Sequence, residues 1–189
     1  MIPNLANPHD SLSEDEFNRF VRVLTIEDAI SDTLCRSIIE YGEKTVDQEA
    51  NKHNRSFQKV VDNCWLPLNH EVHNALQPAW KSAMEFFKFD VEFVEPYDLK
   101  RYQTGGFFNR HIDNYHGNNV PVDRKISMTL QLSDETEYTG GQVVFGHHRV
   151  TKKRLSATFF PSFYPHYVDK IESGIRWSLI GWAWGPYWK

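Results

Sequence analysis

Asn109-Arg110-His111-Ile112-Asp113-Asn114 sets an imidazole and a carboxylate two residues apart. On an extended strand, residues i and i+2 project from the same face. A His-x-Asp pair on a strand therefore offers one nitrogen and one oxygen to a single point. That is two thirds of the two-histidine, one-carboxylate site that holds non-haem Fe(II) with positions left open for chemistry. The motif is short and common, so its weight depends on the chain around it.

Outward from that pair the chain reads as a β-structure. From Glu92 onward the hydrophobic period is two and glycine punctuates the sequence. Phe93 to Gln103 and Phe107 to Ile112 read as extended. Lys125 to Leu132 alternates sharply, with Ile126, Met128, Leu130 and Leu132 on one face and Ser127, Thr129 and Gln131 on the other. The apolar face suits packing under helices, and the polar face suits the lining of a cavity. Gln142 to Phe145, Leu155 to Phe160, Tyr164 to Val168 and Arg176 to Trp184 complete the set, with Gly140-Gly141 as a turn. Many short strands separated by turn signals indicate a sandwich or a jelly roll.

The N-terminal half reads as a support. Residues 1–16 are a polar, proline-containing arm, and Phe20 to Leu24 is a strand. Ser31 is an N-cap for a helix to Tyr41, with Gly42 at its C′ position. Leu34, Cys35, Ile38 and Ile39 form its apolar face. Arg55 to Asp62 alternates loosely. A second helix spans Asn69 to Phe87, kinked or split by Pro78. His70 and His73 on it are expected to be packed or solvated rather than ligands. The expected organisation is a single domain over 1–189, with the arm at 1–16, helical support with strands at 17–91 and the core at 92–189.

Composition narrows the classes of partner. The net charge is −4 over 189 residues, which gives no basic footprint for nucleic acid or for a membrane surface. Six tryptophans suit a β-rich chain or a pocket with flat walls. Cys35 and Cys64 stand far apart and make no disulfide framework, which favours a reducing compartment. The N-terminus has neither a basic start nor an apolar run, and no stretch is long and apolar enough to span a bilayer. A soluble cytoplasmic protein is the expectation.

A facial triad needs a second histidine, and His116, His147, His148 and His166 are the candidates. His116 lies in a polar, glycine-containing segment. His147 and His148 sit beside Gly146 in an apparent hairpin turn. His166 follows Phe159-Phe-Pro-Ser-Phe-Tyr-Pro165, whose apolar residues indicate a buried strand. His166 is favoured as the third ligand, with His148 as the rival. Ten residues on, Arg176, Ser178, Ile180 and Trp182 share one face of a strand. A cation, a hydroxyl and a flat ring in a pocket suit a small dicarboxylate, since arginine pairs with carboxylates bidentately and stays charged when buried. A surface cross-strand salt bridge is the competing explanation for Arg176.

Taken together, these residues give the stretch from Leu99 to Gly185 a resemblance to the catalytic domain of the Fe(II)- and 2-oxoglutarate-dependent dioxygenases, in the prolyl 4-hydroxylase-like branch. The order is Tyr102, Gly106-Phe-Phe-Asn-Arg-His111-Ile-Asp113, Arg124, Leu130-Gln-Leu132-Ser, Gly140-Gly-Gln-Val-Val-Phe145, the run ending in His166, and Gly174-Ile-Arg176-Trp-Ser178-Leu-Ile-Gly-Trp182. The resemblance implies an α+β, mainly β fold: a double-stranded β-helix of jelly-roll, cupin-like type with supporting N-terminal helices. It implies His111, Asp113 and His166 as iron ligands. It places Arg176 on the distal carboxylate of 2-oxoglutarate, Tyr102 and Ser178 beside the cosubstrate, and Trp182 against the site. Gln131 stands where the family often has a second tyrosine. Fe(II), 2-oxoglutarate and O2 are the implied cofactors, with ascorbate as a candidate reductant.

The implied reaction couples oxidative decarboxylation of 2-oxoglutarate to succinate with hydroxylation of a substrate, and a prolyl residue in a peptide or protein is the branch's substrate. Tyr115, Asn114 and Trp65 are expected at the rim, and the loop from Asn114 to Asp123 as a lid. Two alternatives remain: a metal-free jelly-roll binding protein, and the same enzyme class acting on a non-peptide small molecule.

Overall fold

The computed structural model describes residues 22–46, 54–114 and 121–188. The arm at 1–16, Phe20 and Val21 of the expected strand, His116 and Tyr115 all lie outside those residues, as does most of the expected lid; Arg22 and Val23 are not in a strand, which begins only at Leu24.

Among the described residues, fourteen strands and three helices are formed. The strands are β1 (Leu24–Ile26), β2 (Asn54–Arg55), β3 (Lys59–Trp65), β4 (Phe93–Val94), β5 (Asp98–Tyr102), β6 (Phe107–His111) and β7 (Val122–Gln131). They continue with β8 (Tyr138–Gly140), β9 (Val143–Phe145), β10 (His148–Arg149), β11 (Ala157–Pro161), β12 (His166–Val168), β13 (Ile171–Gly174) and β14 (Arg176–Pro186). The helices are α1 (Asp32–Thr45), α2 (Val72–Ala75) and α3 (Gln77–Phe87). The strand pairings are antiparallel, in the order β1-β11-β7-β14-β5-β3-β6-β12-β9-β10. β3 pairs with β5 through residues 62–65 and with β6 through residues 59–60. This one strand thus carries the hydrogen bonding from the wide sheet round to the narrow one. The result is the expected jelly roll, and it draws β3 from the stretch read as support.

The alternation of β7 does what its pattern demands. Ile126, Met128, Leu130 and Leu132 are fully buried in a core shared with Leu34, Cys35 and Ile38 of α1 and with Ala79, Trp80, Ala83 and Phe87 of α3. Ser127, Thr129 and Gln131 point the other way, into the roll. The helices therefore sit on the outer face of the wide sheet and leave its inner face free for chemistry.

Local signals set the helix boundaries, with one exception. The Ser31 hydroxyl accepts from the Leu34 N–H at 3.2 Å, capping α1. The second helix is split at Leu76, and Pro78 falls in the first turn of α3, where it has no hydrogen bond to forfeit. Gly42 is the exception: it lies inside α1 rather than ending it. A Cβ there would stand 2.6 Å from Leu99 Cδ2 and 2.6 Å from the Trp177 ring. Close approach of helix to sheet, not termination, accounts for the glycine.

Gly140 is more than a turn residue. Its φ is +74°, and a Cβ would fall 2.1 Å from the Lys170 carbonyl oxygen across the β8–β13 ladder. Gly140→Ala is expected to lose about 2–5 kcal/mol of stability, from left-handed backbone strain and steric overlap together. The denaturant midpoint reads this out, and a shift worth under about 0.5 kcal/mol would show that the turn can relax.

Candidate active site

His111, Asp113 and His166 are brought together. His111 ends β6 and His166 begins β12, and the two are direct cross-strand partners. Their ring centroids are 4.2 Å apart. Asp113 lies just past β6, held by its N–H donating to the Ser162 carbonyl at 2.9 Å. One donor atom from each of the three side chains falls within 4.8 Å of the others. His148 takes no part in this cluster. It lies on β10, its ring 6.4 Å from that of Phe145.

A β-bulge aims the first histidine. His111 pairs with His166, but Phe108 pairs with Val168, so three steps on β6 match two on β12. The extra residue turns Phe108 and His111 to the same side, where their rings stack at 3.7 Å. Simple alternation along β6 does not anticipate that contact.

The hydrogen bonds set the tautomers. His111 Nδ1 lies 2.8 Å from the Asn109 carbonyl and His166 Nδ1 lies 3.0 Å from the Tyr164 carbonyl. A carbonyl oxygen can only accept, so each Nδ1 carries the proton. In a neutral ring that leaves Nε2 with a lone pair. The two Nε2 atoms lie 3.5 Å and 3.6 Å from the two Asp113 oxygens. Burial lowers the pKa of His166 against the pull of the Asp113 charge, which favours the neutral ring. Burial works against the Asp113 charge too. The adjacent imidazoles and the Ser127 hydroxyl, which donates to Oδ2 at 2.7 Å, outweigh it and hold the carboxyl well below its usual range. Two imidazole nitrogens and one carboxylate oxygen, each steadied by a hydrogen-bond partner of its own, form a donor set suited to a divalent metal.

Arg176 sits deeper. It is 1% exposed. Its guanidinium donates to Gln131 Oε1 at 3.0 Å and to Ser178 Oγ at 3.3 Å, and lies 5.4 Å from the Tyr102 ring. No carboxylate among the described residues pairs with it, which removes the surface salt-bridge explanation. Tyr102 is its direct cross-strand partner. Burial raises the Tyr102 pKa and keeps the phenol protonated, so it remains a donor.

The mouth is aromatic. The Trp182 ring lies 3.8 Å from the Arg124 guanidinium on one side and 6.4 Å from the Trp65 ring on another. Arg124 also bonds Glu95 at 2.7 Å, which assigns it to bracing the wall. Trp65 is 42% exposed, and Asn114 keeps a buried side-chain oxygen with no partner among the described residues. His70 and His73 are packed as expected: the Val72 N–H donates to His70 Nδ1 at 3.2 Å, and His73 stacks on Tyr97.

Sequence reasoning missed one polar pair in the pocket. Lys100 and Asp98 meet there at 2.6 Å, with both side chains 7% exposed. The signal was present: Asp98, Lys100 and Tyr102 alternate on β5, so all three share the Tyr102 face.

A jelly roll with an imidazole–carboxylate–imidazole cluster, and with a buried arginine that no carboxylate among the described residues pairs with, suits a non-haem metal site. Residues 97–184 match the family model of the 2OG-Fe(II) oxygenase superfamily. A PKHD-type hydroxylase of Delftia acidovorans is 31% identical over 138 residues, which cover 66% of this chain and 61% of that protein. The chain thus spans about three fifths of that relative's length. A prolyl-4-hydroxylase of Pseudomonas putida superposes with a TM-score of 0.71 at 17% identity, covering 89% of this chain and 95% of that one. The viral collagen prolyl hydroxylase of Paramecium Bursaria Chlorella virus-1, solved as its 2OG complex, gives 0.69 at 17% identity, covering 86% and 96%. The match to the 2OG-Fe(II) oxygenase superfamily thus covers a little under half of the chain, and the jelly roll around it is similar in fold to those of the two prolyl hydroxylases. Among the described residues, no helix is long and apolar enough to cross a membrane.

Proposed function

We propose that the protein is an Fe(II)- and 2-oxoglutarate-dependent hydroxylase. The observation that carries the reading is the pairing of one buried triad with one buried cation. His111 Nε2, His166 Nε2 and an Asp113 oxygen would hold the metal. Arg176, with Gln131, Ser178 and the Tyr102 phenol around it, would bind the distal carboxylate of 2-oxoglutarate. Arginine suits that role because its charge persists in a dry site and its fork matches a carboxylate. When bound, iron and 2-oxoglutarate supply the oxidising chemistry, with decarboxylation to succinate coupled to hydroxylation. The chain binds, orients and shields. Phe108 fixes the His111 ring by stacking, Ser127 fixes the carboxylate, and Trp182 closes one wall against water.

A peptidyl proline is the favoured substrate. Support comes from the prolyl hydroxylase names of the superposing structures, and Trp65, Asn114 and Tyr115 are the proposed substrate contacts. The whole of 1–189 would act as one catalytic unit. Ascorbate would serve as an auxiliary reductant. A reducing, cytoplasmic setting fits Cys35 and Cys64, which are both buried and form no disulfide among the described residues.

Anaerobic addition of Fe(II) and 2-oxoglutarate is expected to give a weak visible metal-to-ligand band, and air is then expected to release succinate. A colourless complex and no succinate would sink the reading. Ser127→Ala tests the support of the carboxylate. It should weaken Mn(II) binding by about 10–100-fold while leaving the fold intact, as loss of an orienting hydrogen bond does elsewhere. Isothermal titration measures this, and unchanged affinity would show that Asp113 needs no such brace.

A further inference from the structure

Lys100 has no role in the reading above, yet it lines the same pocket as His111, Asp113 and Arg176. It is 5% exposed. Its ammonium meets Asp98 Oδ2 at 2.6 Å, and the other Asp98 oxygen accepts from the Asn63 amide at 3.0 Å. An ammonium has three N–H donors. Asp98 takes one, and Lys100 has no other hydrogen-bond partner among the described residues. Two charged donors left over in a buried place call for an acceptor.

Strand register fixes where they are. Across the sheet, Asn63, Lys100, Ser178 and Gln131 lie in one row. Arg176 reaches into that row through its bonds to Ser178 and Gln131. The next row toward the mouth holds Trp65, Asp98, Ile180 and Thr129, and the Thr129 hydroxyl is buried with no hydrogen-bond partner among the described residues. Lys100, bonded to Asp98, spans the two rows and lies on the mouth side of the arginine. A third cation stands near. Lys59 lies on the same strand face as Asn63, its ammonium 5.1 Å from the Phe108 ring, with no carboxylate paired to it among the described residues.

Charge counting points the same way. Lys59, Lys100 and Arg176 exceed Asp98 and Asp113 by one positive charge. A metal dication and a dicarboxylate cancel each other and leave that excess in place.

We propose that Lys100 is a second carboxylate-binding cation of the pocket, separate from Arg176. Its ligand is either the metal-side carboxylate of the cosubstrate or a carboxylate borne by the substrate. The proposal rests on the oxygenase reading.

The test compares wild type with the double variant Asp98→Asn/Lys100→Met, which removes both charges of the pair together. In the first arm, Mn(II)-loaded protein is titrated without oxygen with 2-oxoglutarate and with 2-oxopentanoate, which carries a methyl in place of the distal carboxylate. If the cosubstrate is the source, the double variant weakens both by at least about tenfold, since both keep the metal-side carboxylate. In the second arm, succinate release is followed with matched proline peptides, ending in a free carboxylate or a carboxamide and carrying Asp or Asn. If the substrate is the source, wild type favours the acid by about tenfold and the double variant loses that preference. Unchanged keto-acid affinity overturns the proposal when the acid preference is also absent, or when it survives in the double variant. Should the double variant not fold, Lys100→Arg is read in the same arms, because a planar fork on a three-carbon stem cannot place its donors where the ammonium does. Arg176→Ala keeps the two readings apart: it should weaken 2-oxoglutarate and spare 2-oxopentanoate. Wild-type protein that binds neither keto acid defeats the oxygenase reading, whereas binding that ignores Lys100 defeats only this one.

Discussion

Asp113→Ala is expected to bring succinate formation to background and to weaken Mn(II) binding by more than about 100-fold, beyond the range seen for loss of an orienting partner. The carboxylate is the only anionic donor in the cluster. Without it, two imidazoles face each other across a space that no longer attracts a dication. Its environment is built to keep it charged: the side chain is 9% exposed, receives the Ser127 hydroxyl at 2.7 Å and faces both Nε2 atoms. His111→Ala should have the same effect on turnover, with Phe108 losing its stacking partner as well. Succinate release in a calibrated assay with Fe(II) and 2-oxoglutarate reads both variants. Retention of even a tenth of wild-type turnover in Asp113→Ala would mean that the metal sits elsewhere.

Arg176→Ala is expected to weaken 2-oxoglutarate by about 2–5 kcal/mol, on the order of 30-fold to several thousand-fold in Kd. The size follows from burial. A guanidinium that is 1% exposed is scarcely screened by water, so a carboxylate brought to it meets nearly its full attraction. Truncation also strands the Gln131 oxygen and the Ser178 hydroxyl, both of which now accept from it. Arg176→Lys should recover part of the affinity, since an ammonium keeps the charge but lacks the planar fork. Equilibrium dialysis of the Mn(II)-loaded protein measures wild type and both variants. An Arg176→Ala variant that binds 2-oxoglutarate like wild type would return the arginine to a purely structural role.

Much of the site was legible because strand alternation is a local property. The i, i+2 rule put Arg176, Ser178 and Trp182 on one face, and it sent Ser127, Thr129 and Gln131 inward once their apolar neighbours were committed to the helices. His166 was favoured from its apolar approach, and its pairing with His111 is a register fact that only the assembled sheet supplies. Lys100 and Asp98 were passed over because charged residues on a short strand ordinarily face solvent. Only the placement of β5 between β14 and β3 makes that face interior. Gly42 resembled a helix cap because glycine serves both ends and close contacts, and the Trp177 ring that decides between them lies far along the chain.

The amino-acid order alone determined which residues form strands, which faces they present and which side chains carry metal-type and carboxylate-type chemistry, since each of these depends on neighbours within a few positions. The tertiary structure decided what meets what: the bulge that turns His111 beside Phe108, the meeting of His166 rather than His148 with His111 and Asp113, the burial of Arg176 away from any described carboxylate and the Lys100–Asp98 pair. Those are set by pairings between distant segments, whose register is fixed only when the whole roll closes and every inner side chain must share one small space.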